Sequence, residues 1–217
     1  MFRSFLLALL LSLPFLGCKT VTTRGPQRVD TFSLSPVPLP HLSLTRTEDG
    51  PSASACPIGA TLAWTALHVV DQNPRPTRWE MDDPYGHPNA GGFEVLSRYP
   101  ARDLALISST TGAFPHHWTL AQKPPFPGEK VVTLGKIMGN QRVLDRGHVL
   151  AIYDGEMLVS GDSMPGSSGG CVLDSSGEVV GVHLGAKFWT RIFGDKGQYL
   201  HTISRSRVAP LWEPDPQ

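Results

Sequence analysis

Pro165-Gly166-Ser167-Ser168-Gly169-Gly170-Cys171-Val172-Leu173-Asp174 runs on to Gly177-Glu178-Val179-Val180-Gly181. A glycine-rich loop opens into a short apolar run, then a turn, then a second apolar run. That is the pattern of two strands joined by a tight reversal. Beyond these two strands at 171–173 and 179–184, similar runs between turn residues occur at 59–65, 93–96, 104–108, 130–134, 142–153, 157–160, 187–193 and 199–203. Helical periodicity is nowhere sustained, and the tail from Val208 reads as one turn of helix stopped by Pro214. Residues 109–128 carry Gly112, Pro115, Pro124, Pro125, Pro127 and Gly128 and read as a connector. Strand groups on either side of it predict an all-β fold of two packed units with a cleft between them.

Composition agrees. The chain has 217 residues, 40% of them hydrophobic, enough for one or two units with a real core. The 22 Gly and 20 Pro show no three-residue period, which excludes collagen, and they disfavour a protein of long helices. Nineteen Lys+Arg balance nineteen Asp+Glu. A nucleic-acid partner normally demands a basic excess, so none is expected.

The first residues read as an address. Arg3 precedes an apolar run from Phe5 to Gly17, shorter than the ~20 residues that span a membrane. A charged start, a short apolar middle and a small residue at its end describe a signal peptide over residues 1–17. Leu16-Gly17-Cys18 resembles the lipobox of bacterial lipoproteins, which makes Cys18 the expected lipid attachment point and the bacterial cell envelope the expected location. Phe15 and Leu16 are bulky for a lipobox, so ordinary cleavage and a soluble secreted protein is the alternative. Residues 18–47 are rich in Ser, Thr and Pro, including Pro36-Val37-Pro38-Leu39-Pro40, and read as an extended tether to the membrane. A strand lying on the domain over 31–39 is the other reading of part of it. The first β unit is then expected over 48–115, the second with the tail over 116–217.

Two cysteines remain after Cys18. Cys56 and Cys171 lie far apart, and an exported compartment permits a disulfide between them. Two buried free thiols are the alternative. Without neighbouring His pairs they make a poor metal site, and no metal or cofactor is expected. His116-His117 and Asp82-Asp83 read as solvated loop residues.

Three local patterns carry chemistry together: Thr65-Ala66-Leu67-His68-Val69-Val70, Arg102-Asp103-Leu104-Ala105-Leu106-Ile107, and the Gly166–Cys171 loop already quoted. Taken singly each has a bland reading, as a core histidine, a turn aspartate and a flexible loop. The order His, Asp, Ser, each beside a predicted strand, is harder to obtain by accident. Over residues 52–206 the sequence resembles the chymotrypsin/trypsin-like serine peptidases. The resemblance implies two six-stranded antiparallel β-barrels with the active site in the cleft between them. It also implies His68 as general base, Asp103 as its orienter, Ser168 as nucleophile, and the N–H groups of Gly166 and Ser168 as oxyanion donors. Leu67 and Cys171 depart from the family pattern without touching these positions.

Protein or peptide substrates and a monomer are expected on the same basis. Ser167 stands where many animal relatives carry an Asp that pairs with a newly cut N-terminus, so activity without such a cut is expected. Two cues to specificity conflict. Asp162 holds the position that selects Lys or Arg in trypsin. Gly181-Val182-His183-Leu184-Gly185, with Ser163 five residues before Ser168, resembles the segment that binds Glu or Gln in glutamyl endopeptidases and related viral enzymes. Glu or Gln is the preferred reading of the substrate-binding set Asp162, Ser163, His183 and Gly185. Two rivals remain: an α/β-hydrolase, which needs acid and base after the serine, and an inactive, tethered peptide-binding pseudo-peptidase.

Overall fold

The computed structural model describes residues 42–45, 53–72, 76–82, 88–136, 142–161, 163, 165–193 and 199–211. The signal peptide, Cys18 and Asp162 lie outside them. Among the described residues no helix is long and apolar enough to cross a membrane.

Six strands, β1 (Leu42–Thr45), β2 (Ala53–Pro57), β3 (Leu62–Ala66), β4 (Arg78–Asp82), β5 (Pro88–Tyr99) and β6 (Leu104–Ser109), close into one barrel in the order β1-β2-β3-β6-β5-β4. Six more, β7 (Lys130–Lys136), β8 (Arg142–Tyr153), β9 (Glu156–Val159), β10 (Cys171–Leu173), β11 (Val179–Phe193) and β12 (Tyr199–Pro210), close a second in the order β10-β11-β12-β9-β8-β7. The pairings between these twelve strands are antiparallel. One helical turn, α1 (Leu67–Val70), follows β3, and a 3₁₀ turn, Pro100–Arg102, precedes β6.

The strands form where side chains alternate between core and solvent, the two-residue period of a pleated strand. In β5, Phe93, Val95 and Tyr99 turn inward while Glu94, Leu96 and Arg98 are exposed. In β8, Gly147 and Val149 are buried while His148 and Leu150 face out. The second barrel closes over Val131, Val149, Met157, Val159, Val172, Val180 and Val208. A larger cluster fills the first barrel with Leu44, Trp79, Met81, Leu104 and Ile107, and continues without a break into Leu134, Cys171, Val182 and Leu184 of the second. Each such buried aliphatic side chain contributes about 1.5–3 kcal/mol. The barrels therefore share a core, and the disulfide Cys56–Cys171 ties β2 to β10 across 115 residues with a Cα–Cα distance of 4.8 Å.

Three boundaries differ from those expected from the sequence. The first barrel starts at Leu42, inside the stretch read as tether up to 47. The connector stays with the first barrel beyond 115: Trp118 N–H donates to the Pro57 carbonyl (2.9 Å). The chain then crosses at Thr119–Ala121, where Val179 N–H donates to Thr119 and Ala121 N–H to Val179. The tail does not turn into helix at Val208, because β12 runs on to Pro210 and Val208 pairs with both His183 and Met157.

Candidate active site

Strand register explains why two of the three expected residues meet. β3 and β6 pair antiparallel with Ala66 opposite Leu104, so the chain leaving β3 and the chain entering β6 lie side by side. Leu67 N–H donates to the Asp103 carbonyl (2.8 Å), which fastens α1 to that point. His68 sits in α1, with its side chain 41% exposed. Asp103 ends the 3₁₀ turn in the left-handed region, φ 53°, a conformation Asp tolerates better than most residues. Its carboxylate is used twice: Oδ1 accepts the His68 backbone N–H (2.9 Å) and Oδ2 is bonded to Nδ1 of the ring (2.8 Å). Partial burial alone would raise the Asp103 pKa. The hydrogen bonds from the His68 ring and backbone outweigh it, with help from the charges of His68 and Arg207, and hold the carboxyl below its ordinary value.

The glycine loop reaches this pair from the second barrel. Gly166 and Gly169 have φ of 97° and 91°, accessible to glycine without the strain a Cβ brings. A Cβ on Gly169 would also run into the Ser54 carbonyl and the Thr65 hydroxyl, so the loop lies directly against β2 and the end of β3. Gly170 N–H closes a turn on the Ser167 carbonyl (3.0 Å). Among the described residues, the N–H groups of Gly166 and Ser168 donate to no backbone carbonyl. Ser168 is half-buried, and its hydroxyl donates to the Leu184 carbonyl (3.2 Å) rather than to His68.

His183 is 1% exposed, with its N–H on the Gly170 carbonyl (2.9 Å) and its own carbonyl accepting from Gly169 (2.7 Å). Nδ1 lies 3.3 Å from the Ser167 hydroxyl, whereas Nε2 is buried with no partner among the described residues. Desolvation pushes the His183 pKa down to about 4, partly countered by its bond to the Ser167 backbone and reinforced by the neighbouring His68 charge. The imidazole is therefore neutral at pH 7. The unfolded ring takes a proton near pH 6.5, the folded ring only near 4. The stability due to keeping it neutral is complete above pH 6.5 and lost as pH falls toward 4, about 3 kcal/mol in all. Thermal melts of the wild type and His183→Gln are expected to converge across that window as the pH falls. Parallel curves would contradict it.

Of the remaining expected residues, Ser163 is half-buried and Gly185 has φ 143° with open space where a Cβ would stand. No group of metal-ligating side chains occurs among the described residues. Two contributors have no counterpart in the sequence motifs. Ser54 on β2 touches the glycine loop through both its N–H and its hydroxyl. Arg207 on β12, paired with Glu156 (Nε–Oε1 3.1 Å), places a positive charge near Asp103. Only the fold brings these two to the site.

The family model for a trypsin-like peptidase domain matches residues 53–182. No curated protein matches the chain. Among solved structures, the MamO protease domain from Magnetospirillum magneticum aligns with a TM-score of 0.62 at 21% identity, covering 81% of this chain and 94% of that one. The serine endoprotease from Yersinia pestis aligns with a TM-score of 0.58 at 14% identity, covering 80% and 59%. The active form of the Rv3671c protease from M. tuberculosis gives 0.56 at 20%, covering 78% and 74%. At these identities the structures speak for the double-barrel fold alone. The family model spans more than half of the sequence and takes in the His, Asp and Ser segments, and on that ground the chain belongs to the trypsin-like peptidase family of serine endopeptidases.

Proposed function

We propose that the protein hydrolyses peptide bonds with Ser168 as nucleophile, His68 as general base and Asp103 as the group that orients it. The observation that carries this is the double use of the Asp103 carboxylate, on the ring and on the backbone of His68. It fixes the proton on Nδ1 and leaves Nε2 as the basic nitrogen turned away from the carboxylate. A Ser hydroxyl is a poor nucleophile until a base takes its proton during attack. In this reading Ser168 Oγ rotates from the Leu184 carbonyl to His68 Nε2, gives up its proton and bonds to the scissile carbon. The N–H groups of Gly166 and Ser168 receive the developing oxyanion, each such donor being worth on the order of 10²–10³ in rate. The imidazolium returns the proton to the leaving amine as the C–N bond breaks, and water then hydrolyses the acyl-enzyme by the same route. Ser167 is bonded to His183 within the fold, which supports activity without cleavage of the chain.

The inactive peptide-binding reading has one observation in its favour, the Ser168 hydroxyl held on Leu184. Turnover of any peptide by the purified chain excludes it.

For specificity, a neutral, buried His183 whose Nε2 lacks a partner among the described residues, on the strand beside Ser168, supports Glu or Gln before the cleaved bond. A peptide-library cleavage profile is expected to show these residues at that position. Cleavage after Lys or Arg would assign the pocket to Asp162 instead.

A further inference from the structure

Ser54 lies on the first barrel and is fully buried, 112 residues from the loop it contacts. Its N–H donates to the Ser168 carbonyl (2.9 Å) and its hydroxyl donates to the Gly166 carbonyl (2.8 Å). Its own carbonyl accepts the Thr65 hydroxyl (2.8 Å), with Thr65 equally buried. One residue thus grips the two carbonyls on either side of Ser167 and is itself held by the strand that leads to His68.

We infer that Ser54 is a positioning residue for the oxyanion site, its hydroxyl selecting the one conformation of the glycine loop in which the Gly166 and Ser168 amides are available together. This rests on the assignment of Ser168 as nucleophile. The physical need is plain. A glycine at φ 97° has other conformations open to it at little cost, so the Gly166–Ser167 peptide, which links the units carrying the Gly166 and Ser168 amides, requires an external tether. Donors stabilise a transition state only if they are already in place when charge develops. A loop that has to be ordered during attack loses that advantage at the transition state and not in substrate binding. Removing the tether should therefore lower kcat and leave KM nearly unchanged. The backbone bond from Ser54 to Ser168 survives any substitution other than proline, so the hydroxyl is separable from the rest of the contact.

The test measures kcat and KM on one peptide, inhibition by a peptide boronic acid that forms a tetrahedral adduct on serine, and the melting temperature, for wild type, Ser54→Ala, Ser54→Gly and Ser54→Thr. The two variants without a hydroxyl are expected to lose roughly 10–100-fold in kcat, below the loss for deleting a donor outright, with KM within about twofold. Boronic acid affinity should fall in parallel. Ser54→Thr, which restores a hydroxyl, should recover most of the rate. Wild-type kcat and boronate affinity in either folded variant lacking the hydroxyl overturn the inference, as does a Thr variant as slow as Ala. If one of those two variants fails to fold, the other decides. A wild-type chain that a fluorophosphonate does not label at Ser168 overturns the nucleophile assignment, and the inference with it. A labelled wild type with an unaffected Ser54→Ala overturns the inference alone.

Discussion

Ser168→Ala is expected to cut kcat by about 10⁴–10⁶ while leaving KM and the melting temperature nearly unchanged. The size follows from the role proposed for it: with Ser168 as nucleophile, the acyl-enzyme route is lost rather than slowed when its hydroxyl is removed. The residual rate would come from the oxyanion donors and substrate positioning. Stability is spared because the hydroxyl makes one 3.2 Å bond, to a carbonyl in a half-buried position. Ser167 is the natural control. Its hydroxyl is buried against His183 and has no part in the proposed attack, so Ser167→Ala should act on cleavage preference rather than on the existence of turnover. Activity surviving in Ser168→Ala and lost in Ser167→Ala would reverse the assignment. The comparison is read by initial rates on the peptide that the wild type prefers.

The second large effect is on stability. The Cys56–Cys171 bridge spans 115 residues, and a cross-link over so long a loop restricts the unfolded chain by about 4–5 kcal/mol in the chain-entropy description. It also joins the two barrels within their shared core: both cysteines are fully buried, in one cluster with Ala55, Leu134 and Val182. Cys56→Ala with Cys171→Ala is the cleaner variant, since serine would add two buried hydroxyls to the loss. A drop of roughly 10 °C or more in melting temperature is expected for a chain of this size. Activity at low temperature should fall less, because Ser54 still holds the loop by two hydrogen bonds. A double variant that melts within a degree or two of the wild type would show that the cross-link contributes little beyond the packing around it.

What can be read from the sequence, and what cannot, has physical reasons. The His68 and Asp103 segments are legible because each adjoins a strong apolar strand, and the pairing of Ala66 with Leu104 then brings them together automatically. The glycine loop is legible because φ near +90° at Gly166 and Gly169 calls for glycine. β1 and β2 escape notice because they are short and carry Ser, Thr, Ala and Pro: Ser43, Thr45 and Ser54 are buried, so hydrophobicity does not mark them. β4 does carry a signal, with Trp79 and Met81 buried between Arg78 and Glu80, but two inward residues are too few to stand out. The end of β12 reads poorly in isolation because its place is set by pairing with β11 and β9. Ser54 is beyond reach for a different reason: it acts through contacts with residues more than a hundred positions away, and no local pattern records them.

In the proposed mechanism the Ser168 alcohol is activated by His68. Treating the purified protein with a fluorophosphonate and mapping the adduct by peptide mass spectrometry reads this activation out. Stoichiometric labelling confined to the Ser168 peptide is predicted, abolished in His68→Ala and in heat-unfolded protein. An unlabelled wild type, or labelling that persists unchanged without His68, would contradict the claim.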